Sequence, residues 1–115
     1  MLLFMLLIID CNTCPNVDLN GSVKMDVLAA GLYQKDLPRL GGVSIGQVVP
    51  NYPRAHQFYL LRELGRRLIA GDVMPEHVVI ITQDSSLARA LTSVAKQITG
   101  VRLLPDAGGL KEMGY

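Results

Sequence analysis

Residues 1–15, MLLFMLLIIDCNTCP, hold a continuous apolar run that stops at a carboxylate, Asp10. Residues 78–91, VVIITQDSSLARAL, repeat the arrangement, with four aliphatic residues followed by Thr82 and then Asp84. Short, unbroken aliphatic runs of this kind read as strands buried on both faces, the pattern of a parallel sheet covered by helices. Ligands of such sheets bind just beyond the carboxyl ends of the strands. Asp10 and Asp84 are therefore expected at one sheet edge. Like charges gathered there are tolerated when a divalent cation sits between them or when one acid keeps its proton.

The rest of the chain agrees with a compact α/β fold. Its 115 residues are expected to form one domain, 1–115, of which half the residues are hydrophobic and none is tryptophan. A formal charge of +1 argues against a strongly basic nucleic-acid module, although local patches stay open. The apolar start has no basic leader and no small-residue cleavage signal, and it meets Asp10 too early to cross a bilayer. It is read as a buried strand. The expectation is a cytoplasmic protein with no membrane partner, whose Cys11 and Cys14 are reduced thiols.

Outward from the two runs, periodicity assigns the other elements. A strand over 2–9 leads into a polar loop over 10–21, and Ser22 could cap a helix over 23–33 with Val23, Val27 and Ala30 on one side. Pro38 and Gly41–Gly42 mark a turn region over 35–42, and 43–49 suggests a short strand weakened by Gly46. From Pro53 to Ala70, Ala55, Phe58, Leu61, Leu64, Leu68 and Ile69 recur at helical spacing, with Arg54, Arg62, Arg66 and Arg67 outside, and Gly71 ends the run. A strand over 78–82 is followed by a helix capped by Ser85 or Ser86, with Leu87, Leu91, Val94, Ala95 and Ile98 facing inward. A last short strand over 101–104 leads to Asp106. This order predicts a three-layer α/β/α sandwich with a mainly parallel sheet.

Three acids, Asp10, Asp84 and Asp106, each follow a strand, so a parallel sheet would bring them to one edge. Magnesium or manganese is held by one or two carboxylates with waters and substrate phosphates, and it can activate water for attack on a phosphodiester. Asn12 and Thr13 stand beside Asp10, and Ser85 and Ser86 start a helix beside Asp84, where they could orient water or phosphate. Glu63 is the acid offered by the middle helix, with Asp26 its competitor and Asp72 a turn residue. The Arg62–Arg66 face could track a phosphate backbone, but a plain solvated face is the better reading. His56 and His77 are singletons that read as surface or structural residues. Cys11-Asn12-Thr13-Cys14 raises a thioredoxin-like redox alternative, but that chemistry needs a helix starting at Cys11 to lower its pKa, and Pro15, Asn16 and Asp18 make such a start poor. A zinc site would need both lone histidines as well.

At these residues the chain resembles the PIN-like nuclease superfamily. I-I-D-C-N-T is similar to the opening strand and first acid of that group, including the D-x-N start of its NYN branch. I-I-T-Q-D-S-S-L-A-R-A-L is similar to its T-x-D-x-x-L-A strand-to-helix turn, and Cys14-Pro15 resembles a small bacterial branch that runs D-x-D-x-C-P. The likeness covers the two ends and leaves the middle third unmatched. It implies a parallel α/β/α sandwich and, in active members, magnesium- or manganese-dependent cleavage of RNA or DNA, with RNA the more expected substrate. Asp10 and Asp84 match the first and later metal-binding acids, Asn12 the polar position after the first, Thr82 the hydroxyl before the second, and Asp106 the last acid. The middle acid has no clear counterpart, which leaves Glu63 or Asp26. The rival expectation is a catalytically inactive α/β module whose apolar surplus serves a homodimer interface.

Overall fold

The computed structural model describes residues 5–19, 26–73 and 77–94, together with the backbone of 102–104. Its centre is a five-stranded parallel sheet. Strand β1 (Leu6–Asp10) pairs on one side with β3 (Asp26–Gly31) and on the other with β7 (Val78–Ile81). The outer strands are β6 (Gln47–Val48), beside β3, and β8 (Arg102–Leu104), beside β7. Every residue of β1 and β7 is buried, as their aliphatic runs require.

Alternation along these strands divides the core. Leu6 and Ile8 of β1, with Val78 and Ile80 of β7, face helices α1 (Ala55–Ala70) and α2 (Ser85–Val94), where Leu60, Leu64, Leu87 and Leu91 meet them. Leu7, Ile9, Val79 and Ile81 face the opposite way, against Cys11, Cys14, Val17, Leu19 and Leu37. That second face is covered, among the described residues, by loops and by a small sheet of β2 (Asp18–Leu19), β4 (Arg39–Leu40) and β5 (Val43–Ser44).

Several expectations are corrected. The helix over 23–33 is instead strand β3 from Asp26 onward, in register with β1 from Leu6↔Asp26 to Asp10↔Ala30; residues 20–25, including Ser22, lie outside the described residues. Val-Leu-Ala-Ala favours a helix locally, but five positions of pairing beside the central strand override that preference. The strand over 43–49 is two strands in two sheets. Gly46 separates them with φ +117°, a conformation that L side chains rarely adopt. The region 35–42 contains a short 3₁₀ turn, Gln34–Asp36, and a β4–β5 hairpin through Gly41–Gly42.

Helix α1 forms close to where its periodicity put it. Its N-cap, Arg54, has φ 63° and gives no side-chain cap, and Gly71 closes the other end through a bond from its N–H to Leu68 O (3.2 Å). Leu60 and Leu64 are buried, whereas Phe58 and Ile69, expected on the inner face, stand in water. Val94 on α2 is exposed as well, and Ala95 and Ile98 lie outside the described residues. No helix among the described residues is long and apolar enough to cross a membrane.

Candidate functional site at the carboxyl edge of the sheet

Strand order fixes where a site can form. From β1 the chain steps outward through β3 to β6, then crosses through α1 to β7 on the other side of β1. The direction of winding therefore reverses between β1 and β7. Loops leaving these two strands diverge and open a crevice at their carboxyl ends, the usual ligand position in open parallel sheets.

Asp10 ends β1 at this crevice. Continuing the alternation Leu6, Ile8, Asp10 and Val78, Ile80, Thr82 brings Asp10 and Thr82 out on the helix-covered face. Asp10 is 1% exposed, so its charge must be met by hydrogen bonds. Its Oδ2 accepts from the hydroxyls of Thr82 (2.8 Å) and Thr13 (2.9 Å), and its Oδ1 accepts from the Asn12 backbone N–H (3.0 Å). Each hydroxyl in turn accepts a backbone N–H of the β7–α2 turn, Thr82 from Asp84 and Thr13 from Gln83, both at 3.0 Å. Two amides thus pass through two hydroxyls to one carboxylate oxygen, and the direction of every proton is set.

Asp84 performs a task assigned above to the serines. Its Oδ1 accepts the backbone N–H groups of Ser86 (2.9 Å) and Leu87 (3.1 Å), so Asp84 caps α2, while Ser85 and Ser86 are exposed in the first turn. The other oxygen, Oδ2, accepts from the Gln57 amide of α1 (2.9 Å). His56, one residue earlier, is buried with Nε2 3.6 Å from Asp10 Oδ1. The Asn12 amide nitrogen lies 3.1 Å from His56 Nδ1 and 3.4 Å from Nε2. Consecutive residues of α1 therefore contact the two acids, and Thr82 links the acids from the sheet side.

The remaining candidates lie elsewhere. Glu63 is two turns along α1 from the crevice and pairs with Arg66 (3.1 Å), whose hydrogen bond holds the Glu63 carboxyl below its ordinary 4.5. Asp26 begins β3 opposite Leu6, at the other edge of the sheet, 3.8 Å from Arg67 Nε. Asp106 lies outside the described residues. His56, read from the sequence as a surface or structural singleton, is buried beside Asp10, and Gln57 has no signal of its own in the sequence. What marks both is position, in the first turn of a helix that starts at the carboxyl edge of a parallel sheet.

The cysteines belong to the opposite face. Both are buried, and the Cys14 N–H closes a single turn onto Asp10 O (2.9 Å). Burial, with the Asp10 charge beside it, pushes the Cys11 thiol from 9.0 up to about 12. A nucleophilic or redox thiol needs the opposite shift.

Among the described residues no group of three or more His, Cys, Asp and Glu side chains is arranged to hold a metal ion. The oxygen donors near the ends of β1 and β7, the Asp10 and Asp84 carboxylates and the Thr13 and Thr82 hydroxyls, are hard and of the type that magnesium or manganese takes. Comparison with family models, with curated proteins and with solved structures finds no match.

Proposed function

We propose that this chain is a PIN-like domain of three-layer α/β/α type acting as a magnesium- or manganese-dependent endoribonuclease, with Asp10 and Asp84 as the metal-holding acids. The observation that carries the reading is the meeting of both acids on α1 at the winding reversal of the sheet, Asp10 beside His56 and Asp84 on Gln57. A bound divalent cation supplies polarisation of a phosphodiester and a more acidic water. The chain's own groups do the positioning. Thr82 and Thr13 lock the Asp10 rotamer. Asn12 and Ser85, both exposed at the rim, stand where a phosphate oxygen would meet an amide or a hydroxyl. The start of α1, which lacks a side-chain cap, adds the positive end of a helix dipole. Asp106 completes the acid set in this reading, in a cytoplasmic enzyme.

A second reading has its own support. Asp10 is almost wholly enclosed and accepts hydrogen bonds on both oxygens, which suits a structural hub in a catalytically inactive module. Exposed Phe58, Ile69 and Val94 on the helix layer would then meet a second copy of the chain. The test is cleavage of end-labelled single-stranded RNA with manganese. The nuclease reading expects cleavage that stops on chelation and is lost in Asp84→Asn and Asp10→Asn variants with wild-type circular dichroism. Intact RNA with a folded wild-type protein, and a dimer by light scattering, would favour the module.

A further inference from the structure

Aliphatic side chains build nearly all of the buried core. Among the described aromatic residues Tyr59 packs against it, whereas Tyr33, Tyr52 and Phe58 are 53%, 56% and 61% exposed. Single exposed rings need no explanation, but three gathered at one edge of a sheet do.

Topology gathers them. Tyr33 lies two residues past Gly31, the end of β3, and Tyr52 lies four residues past Val48, the end of β6. These strands are parallel neighbours with Gly31 opposite Val48, and the Val49 N–H bonds to Gly31 O at 3.0 Å. Both loops therefore start at the carboxyl edge on adjacent strands, β3 beside the strand that delivers Asp10 and β6 one strand further out. Phe58 joins from the first turn of α1, where Ala55 N–H bonds to Tyr52 O (3.2 Å) and Phe58 N–H bonds to Arg54 O (3.0 Å).

Each loop also repeats one short pattern, an exposed tyrosine followed two residues later by a cation: Tyr33-Gln34-Lys35 and Tyr52-Pro53-Arg54. Lys35 Nζ lies over one face of the Tyr33 ring, 5.5 Å from its centre. Arg54 is exposed and held at φ 63°, an unfavourable conformation for a side chain of its size. Exposed rings with a cation two residues on, which at Tyr33 covers one ring face, match a strand whose unpaired bases stack on the rings and whose phosphates meet the cations.

We infer that Tyr33 and Tyr52, with Lys35 and Arg54, form a stacking platform that leads single-stranded RNA into the Asp10–Asp84 crevice, with Phe58 at its border. This rests on the nuclease reading for its substrate but is tested by binding alone. Base faces are hidden in a duplex, so the platform selects unpaired RNA.

The experiment is fluorescence anisotropy of a labelled uridine oligonucleotide in chelator, with a same-length abasic strand, a duplex and a thymidine oligonucleotide as further arms. Tyr33→Ala and Tyr52→Ala are each expected to weaken binding of the uridine strand about 5- to 100-fold, while Tyr33→Phe and Tyr52→Phe retain it. Lys35→Ala should lower the salt slope by about 1. The abasic strand and the duplex should bind weakly and alike to all variants. The thymidine strand should lose affinity in Tyr33→Ala and Tyr52→Ala as the uridine strand does, because base faces and phosphates are common to both; thymidine binding untouched by either variant would overturn stacking. Alanine variants that bind like wild type, or a wild type that binds no single strand, overturn the platform. So does a dimer that dissociates in the tyrosine variants, because a second copy then covers these rings. Failure here with manganese-dependent cleavage intact leaves the nuclease standing. Tyrosine-dependent binding without cleavage leaves the platform standing and removes the nuclease.

Discussion

Thr82→Val keeps the shape of a buried side chain and removes its hydroxyl, so it isolates the hydrogen-bond relay at the crevice. In the wild type that hydroxyl donates to Asp10 Oδ2 at 2.8 Å and accepts the Asp84 N–H at 3.0 Å. Losing a bond to a buried carboxylate costs about 1.5–3 kcal/mol, and an orphaned amide costs about 1–3 kcal/mol more when water cannot reach it. Asp84 is only half-buried, so water recovers part of the second cost. The net expectation is a loss of about 2–4 kcal/mol, which for a chain of this size is a fall in Tm of about 8–16 °C. Urea unfolding followed by circular dichroism measures it. Thr82→Ser keeps the hydroxyl and gives up one methyl, for about 1 kcal/mol. Thr82→Val within about 0.5 kcal/mol of wild type, or a serine variant as unstable as the valine one, would refute the relay.

The other predictions follow from single contacts. Cys11 has a folded pKa of about 12 against 9.0 when unfolded, so the unfolded chain sheds its proton first as pH rises. The stability conferred by the neutral buried thiol is complete below pH 9 and lost between 9 and about 12, at about 1 kcal/mol per pH unit. Cys11→Ser should flatten that part of the alkaline slope in urea titrations, and rapid alkylation of native Cys11 at neutral pH would contradict the burial argument. Gly31→Ala would bring a Cβ within 2.8 Å of Cys11 Cβ, so thermal melts should show a loss of about 1–3 kcal/mol. Asp84→Ala removes the α2 cap and should cost about 1 kcal/mol, most of which Asp84→Ser recovers by denaturant unfolding.

The parts of the fold that the sequence made legible are those where burial decides alone. The aliphatic runs before Asp10 and Thr82 become the central strands, and the helical spacing over 53–70 locates α1, although its buried face runs through Leu60 and Leu64 rather than through Phe58 and Ile69. Strand β3 was misread because Val27–Ala30 carries residues that suit either state, and only pairing with β1 decides between them. Two-residue strands such as β4 and β5 have no periodicity to detect. At the site, the sequence put Asp10 and Asp84 at one sheet edge, but the bond from Thr82 to Asp10 becomes legible only once β1 and β7 are paired in register. The choice of Asp84 over Ser85 as the α2 cap, and the approach of His56 and Gln57, depend on how α1 docks on the sheet, a tertiary fact with no local signature.

The central claim is that Asp10 and Asp84 hold one hard cation between them. Thermal melts across a manganese titration, comparing wild type with Asp84→Asn, test it most directly. A cation bound to the folded state alone stabilises it by about 2.7 kcal/mol at a hundredfold excess over Kd. The account predicts a saturable rise in wild-type Tm that is absent from Asp84→Asn. The same rise in both proteins, or none in either, would contradict it.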